Sequence, residues 1–289
     1  MELLTFLQKR LYELPEQIKI LEDTYRKLSN EQREEKLKDL RSYEKRLHEG
    51  LTFLLNQDSD TLEMIERVRH PSTSLLSENT ERYFASLRTV RKKQGIQLSE
   101  EQIETMTRAL KNTPLTHTTN NVDAVLKDGI LPASTLWMMP VKSCANAMDI
   151  ALGLDQYVFL THGFGLSNFS DDFLSINNTL IELPTTLVSS VDIFKLVLIE
   201  TGRQMPCAAP THEWLPVLDE YQRQIFSGKD FWRLKAEYVL TYFKTLDEYQ
   251  AFATRHFYEN FRENAPDGEQ PFLGEVKVLG TITGDQIAS

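Results

Sequence analysis

Leu37, Leu40, Tyr43, Leu47, Leu51 and Leu54 recur at steps of three and four. That spacing brings side chains to one face of an α-helix and to no single face of a strand. The intervening residues, as in EQREEKLKDLRSYEKRL, are largely Glu, Lys and Arg. A segment written this way buries one stripe against a partner helix and leaves the charged face in water. The same rhythm holds for Leu3, Leu7, Leu11 and Leu14, and continues beyond Pro15 through Ile18, Leu21, Tyr25 and Leu28. The stripes predict a coiled-coil hairpin or a small bundle. Mutual burial is their first role, and partner binding or autoinhibition is the functional alternative.

Helix starts are written into the same region. Ser29 with Gln32 and Ser99 with Gln102 have capping-box spacing, and Asp60 with Glu63 is a candidate start for another helix. Around Ser99, Leu98 and Ile103 suit a hydrophobic staple, and Glu100 and Glu101 suit the positive end of the helix. That helix is expected to reach about Asn112 and to stop before Pro114. Pro71 and the serines of PSTSLLS mark a break.

Beyond Lys111 to Pro114 the texture changes. Short β-rich runs appear, YVFLTH, KLVLIE and EVKVLGTI, separated by turns and by helical stretches such as NNVDAVLKDG and TLDEYQAFATRHFYENF. Thr245 and Glu248 have the spacing to cap the latter. The expected fold class is α+β: an all-α, coiled-coil-like domain over residues 1–112, then a mixed domain over residues 113–289. A length of 289 residues accommodates two modest domains, and 41% hydrophobic residues supply their cores.

Charge narrows the partners. Of 32 Lys/Arg and 42 Asp/Glu, residues 1–110 hold 19 and 20, which leaves 13 and 22 for residues 111–289. An acidic C-terminal part repels phosphate at long range, which disfavours non-specific nucleic-acid binding there. No apolar stretch approaches a membrane span. The opening MELLTFLQKRLYELPEQ lacks the basic start of a signal peptide. Cys144 and Cys207 form neither a disulfide framework nor a zinc spacing, so two reduced thiols in a soluble cytoplasmic protein are expected. The same composition suits a protein delivered into another cell's cytosol.

Three segments stand out for chemistry. LTHTTNNVDAVLKDGIL, residues 115–131, reads as a strand through His117, a turn at Asn120 and Asn121, and a helix closed by Gly129. YVFLTHGFG, residues 157–165, reads as a buried strand running into a glycine-rich turn. FLGEVKVLGTITGDQI, residues 272–287, opens an alternating strand at Glu275, with Val276 and Val278 on one face and Glu275, Lys277 and Leu279 on the other.

Together these segments resemble the three motifs of the ADP-ribosyltransferase superfamily, in its branch with a His, Tyr, Glu signature. The resemblance covers residues 113–289 and none of the helical part. It implies a split β-sheet and a glycosyl transfer in which NAD is the substrate and no metal takes part. On that likeness His117, on the first strand, holds the ribose and nicotinamide side of NAD. Tyr157 or Phe159 stacks on nicotinamide; the two point the same way, and the sequence does not choose between them. Phe173 is a candidate second aromatic wall. Glu275 holds a ribose hydroxyl and orients the reaction. The catalytic pair implied is therefore Glu275 and His117, and the NAD-binding set is His117, Thr118, Tyr157, Phe159, His162 and Phe173. Two features depart from the family. Thr118 stands where poly-ADP-ribose-type members carry glycine, and Leu273, two residues before Glu275, breaks the E-x-E pair of arginine-modifying toxins.

The residue types suit that chemistry. Breaking the nicotinamide–ribose bond develops positive charge on the sugar, which a neighbouring carboxylate stabilises. An aromatic wall excludes water and positions the leaving group. The resemblance implies a bacterial toxin or effector that modifies a macromolecule, protein by preference and RNA or DNA otherwise. Residues 1–112 would then select the target or bind an antitoxin, a chaperone or a host protein.

Other constellations are thinner. His117-Thr118-Thr119 is half of a two-histidine phosphoesterase signature, and His162-Gly163-Phe164 lacks the hydroxyl its second half needs. Gly163-Phe164-Gly165 is followed by no lysine, so it is no phosphate loop. His212-Glu213 begins no H-E-x-x-H, and His48, His70, His162 and His256 have no metal-ligand spacing. A Cys144–His nucleophile pair has no local support. A non-catalytic interaction protein, binding through its helical part, is the main alternative to the transferase.

Overall fold

The structure, a computed structural model, describes residues 2–24, 29–119, 122–136, 147–162, 173–176, 186–189, 211–256 and 275–288. Five helices come first: α1 (Glu2–Thr24), α2 (Asn30–Leu55), α3 (Ser59–Arg69), α4 (Thr73–Gln94) and α5 (Glu100–Lys111). Then follow β1 (Leu115–Thr118), α6 (Val122–Asp128), α7 (Ala133–Leu136), α8 (Ala147–Ala151), β2 (Tyr157–His162), β3 (Phe173–Ile176) and β4 (Thr186–Ser189). The described chain closes with α9 (Thr211–Gln222), β5 (Ile225–Ser227), α10 (Phe231–Tyr242), α11 (Leu246–His256), β6 (Glu275–Leu279) and β7 (Ile287–Ala288). The class is α+β, as expected.

Helix starts follow the local chemistry. Ser29 and Ser99 each close a full capping box with Gln32 and Gln102. The start of α3 is corrected: Asp58, not Asp60, is the cap, and its side chain accepts from the Thr61 backbone N–H at 2.9 Å. Asp60 then lies in the first turn, where its charge suits the helix dipole. Thr245 caps α11, while the Glu248 carboxylate reaches the Lys244 backbone N–H at 2.8 Å. The expected turns at Asn120–Asn121 and Gly163–Gly165 and the run KLVLIE lie outside the described residues.

The chain forms two compact units. The first takes residues 1–70, 131–158 and 196–220; the second takes 71–130, 159–195 and 221–289. Residues 111–114, where the sequence changes texture, lie inside the second.

In the first unit α1 packs against α2, and α2 also against α8. Leu7 and Leu14 of α1 and Leu40, Tyr43, Leu47 and Leu54 of α2 are buried, while Leu11, Leu37 and Leu51 of the same stripes are partly exposed. Trp214 meets Phe53 edge-on at 4.8 Å between centroids, a favoured aromatic geometry. Arg10 donates to Asp155 at 2.6 Å, and Asp155 is fully buried. Asp155 needs that partner, because an unpaired buried charge is costly.

In the second unit α10 packs against both α4 and α5. Burial on several sides explains its mostly apolar and aromatic sequence, FWRLKAEYVLTY. The two acidic or basic groups that α10 buries most, Lys235 and Glu237, have specific surroundings. Lys235 lies 5.4 Å from the Phe231 ring centroid and 5.3 Å from that of Tyr249, and Glu237 pairs with Arg91 at 3.0 Å. Burial pushes the Lys235 amine well below its ordinary range. On α4, buried Asn79 donates to the backbone carbonyls of Gln222 at 2.8 Å and Ile225 at 2.7 Å, fixing the entry to β5.

The described strands form one sheet in the order β5-β4-β6-β2-β1-β3-β7. The β1–β2, β1–β3, β3–β7, β4–β5 and β4–β6 pairs are antiparallel. After α6, Gly129 has φ +84°, and Ile130 exchanges backbone hydrogen bonds with Ile282 at 2.8 and 3.0 Å. A Cβ on Gly129 would lie 2.4 Å from the Ile282 carbonyl oxygen. Gly129→Ala therefore combines left-handed strain with a backbone clash, and is expected to destabilise the fold by about 2–3 kcal/mol. An unchanged urea midpoint for this variant would show that the Ile130–Ile282 bridge is not needed.

Candidate functional site

The strands that carry the three sequence motifs are neighbours, in the order β6-β2-β1. His117 is the third residue of β1, Tyr157 and Phe159 lie on β2, and Glu275 opens β6. The separation of almost 160 residues between His117 and Glu275 in the chain thus collapses to two strand spacings in the sheet.

β1 is fully paired on one side only. Against β3 all four residues are in register, from Leu115↔Ile176 to Thr118↔Phe173. Against β2 the paired residues are Leu115↔His162 and Thr116↔Thr161. Just past that point the His117 side chain takes over: its Nδ1 lies 3.1 Å from the Phe159 carbonyl oxygen. A carbonyl only accepts, so Nδ1 carries the proton, and in the neutral ring Nε2 is the acceptor. Burial pulls the His117 pKa down, and the hydrogen bond to Phe159 only partly opposes it. Burial thus favours the neutral imidazole, and the Phe159 carbonyl favours the tautomer protonated at Nδ1.

Glu275 belongs to a second cluster. In the β4–β6 register Glu275 faces Ser189, and Lys277 faces Leu187. Alternation puts Glu275 and Lys277 on the same side of β6, and the two form an ion pair. Lys277 is 2% exposed. Its Nζ also donates to Ser189 Oγ at 3.1 Å and lies 5.4 Å from the ring centroids of both Phe159 and Tyr221. Ser189 Oγ lies 3.5 Å from Glu275 Oε1. The Tyr221 phenol interacts electrostatically with Lys277 and Ser189. Burial alone would lower the Lys277 pKa, but the carboxylate of Glu275 and the phenol of Tyr221 reverse this and hold it above the ordinary lysine range. Burial pushes Tyr221 up to about 12, against the pull of Lys277.

Phe159 links the two clusters, because its carbonyl holds His117 and its ring faces Lys277. Tyr157 shares the Phe159 side of β2 by alternation and is partly exposed. Thr118 and Phe173 are cross-strand partners, and His162 pairs with Leu115; the side chains of Thr118, His162 and Phe173 lie outside the described residues. Ser189, Tyr221 and Lys277 are the additions that sequence reading missed. The E-x-K spacing was a usable signal for Lys277, since residues two apart on a strand share a face.

The chemical capacity of the site is specific. Its two clusters offer, separately, an imidazole acceptor at the end of the β1–β2 pairing and a carboxylate held by a buried ammonium beside the Phe159 ring; the Thr116↔Thr161 register puts Thr116, rather than His117, on the Phe159 side. Among the described residues no three His, Cys, Asp or Glu side chains are grouped to hold a metal ion, and no helix is long and apolar enough to cross a membrane. No family model matches the chain, and no curated protein or solved structure matches it.

Proposed function

We propose that the chain transfers ADP-ribose from NAD to a macromolecular acceptor, with Glu275 and His117 as the catalytic pair. The reading rests on the adjacency of β6, β2 and β1, which gathers the three motif strands that resemble the ADP-ribosyltransferase signature. The split sheet that the resemblance implies is part of this proposal; among the described strands β1 pairs with β2 over two residues within one sheet.

In this reading the neutral His117 ring, through Nε2, accepts from a ribose hydroxyl of NAD. The Glu275 carboxylate accepts from another ribose hydroxyl and offsets the positive charge that develops as the nicotinamide–ribose bond breaks. The bonding pair leaves with nicotinamide, the acceptor supplies the pair for the new ribose bond, and the acceptor's proton is released. Nicotinamide stacks on Tyr157 or on Phe159; one side of Phe159 already faces Lys277. Thr118, His162 and Phe173 are the remaining members of the NAD-binding set that the resemblance implies. Protein is the preferred acceptor, because residues 111–289 are acidic; RNA or DNA is the runner-up. Residues 113–289 would carry the reaction, and residues 1–112 would choose the target or bind a neutralising partner. The resemblance places such an enzyme among cytosolic toxins or effectors.

Incubation with labelled NAD and a cell lysate, half of it then treated with nuclease, tests this directly. Transfer of label is expected, and its nuclease sensitivity identifies the acceptor class. A folded protein that neither transfers label nor releases nicotinamide would remove the reading. His117→Ala should weaken NAD binding by about tenfold, the worth of one well-placed hydrogen bond. Calorimetry showing an unchanged Kd would take His117 out of the pocket.

A further inference from the structure

A buried lysine persists as an ammonium only where partners repay its lost hydration. Lys277 has them on every side. Glu275 on its own strand pairs with it, Ser189 on β4 accepts from it at 3.1 Å, and the rings of Tyr221 at the end of α9 and Phe159 on β2 each face it at 5.4 Å. Both Lys277 and Ser189 address the same carboxylate oxygen of Glu275, Oε1. The acid is therefore gripped from the protein side by one charge and one hydroxyl. Lys277 is too enclosed, at 2% exposure, to meet a ligand itself.

We propose that Lys277 is the positioning residue of Glu275, a buried ammonium on the same side of β6 that fixes which way the carboxylate points. Its catalytic consequence rests on the ribosyl-transfer reading above; the positioning does not. A carboxylate on a strand otherwise samples solvated rotamers, and each rotamer lost before binding is entropy not spent at the reaction. The same contact sets the charge of the acid. Without the ammonium, a partly buried carboxyl favours its neutral form, and a neutral acid does not offset charge on the sugar.

The experiment is a pH titration of the Glu275 carboxyl in full-length protein labelled with ¹³C at glutamate carboxyls. Glu275 is assigned as the resonance missing from Glu275→Gln. In Lys277→Met the Glu275 resonance is expected to titrate at higher pH than in wild type. Nicotinamide release by Lys277→Met should fall about tenfold for each pH unit by which that titration lies above the assay pH, and recover as pH is raised. Loss through general disorder would not be regained at alkaline pH. Ser189→Ala and Tyr221→Phe each remove one hold on the ammonium and should shift the titration in the same direction by less, which decides the matter should Lys277→Met not fold. A Glu275 titration unmoved in the folded variants overturns the proposal. A wild type that releases no nicotinamide defeats the transfer reading instead, while the carboxyl titration still judges the role of Lys277.

Discussion

Glu275→Gln is expected to lower label transfer by about a hundredfold or more, the scale on which losing a preorganised charge-stabilising group acts. Glutamine keeps the size of the side chain and an oxygen acceptor but removes the charge. Because the side chains of Glu275 and Lys277 are 14% and 3% exposed, the substitution also leaves Lys277 without its carboxylate. Breaking one half of a buried pair costs about 3 kcal/mol, so the variant should melt earlier while remaining folded at moderate temperature. Glu275→Gln combined with Lys277→Met removes both charges and is expected to regain most of that stability and none of the transfer. Wild-type rates in the folded single variant would take Glu275 out of the reaction. Transfer regained in the double variant would mean that the stranded lysine, not the missing carboxylate, had stopped it.

Arg10→Met is the largest purely structural effect expected. Asp155 is 0% exposed, its bond to Arg10 is 2.6 Å, and the Arg10 guanidinium also lies over the Phe6 ring at 4.4 Å. Methionine keeps much of the apolar contact and removes the charge. The predicted loss near neutral pH is about 3–5 kcal/mol, read as a fall in the urea midpoint. Burial raises the Asp155 pKa above its ordinary value, and Arg10 and then Arg69 oppose the rise. The folded state thus binds its proton more tightly than the unfolded chain does. This contribution is fully favourable below the unfolded pKa and is lost as pH rises through the folded one. Without Arg10 the folded pKa climbs further, so the variant should suffer less in mild acid than at neutral pH. Equal urea midpoints for the two proteins across that range would mean that Arg10 contributes nothing net to the fold.

Much of the helical architecture was legible because it is local. The boxes at Ser29 and Ser99 form within one turn, and the break at Pro71 is fulfilled by α3 ending at Arg69 and α4 starting at Thr73. The Asp60 cap failed because Asp58 offers the same chemistry two residues earlier, and the chain used the first carboxylate available. Gly129 was readable as a helix stop, but its backbone closeness to Ile282 was not, since that contact spans more than 150 residues. The candidate site divides in the same way. His117, Phe159 and Glu275 sit on strands whose alternation can be read. Ser189 and Tyr221 are brought in by the β4–β6 register and by the end of a helix. Neither carries a sequence pattern that points at Glu275, because register across 86 residues is a property of the folded sheet.

The interleaving of the two units bears on the order in which the chain can fold as it is made. A ribosome releases residues from the N-terminus onward, and domains usually fold as units as they emerge. Here the first unit waits for residues 196–220, and by then most of the second unit's segments have already left the ribosome without residues 221–289. Both units thus come to completion late, within the final third of synthesis, after the apolar stripes of long amphipathic helices have been in water. Closing such distant contacts carries loop entropy and slows folding. A nascent or truncated chain ending near residue 112 holds the first segment of the first unit and only residues 71–112 of the second unit's first segment, so neither unit can complete its contacts at that point.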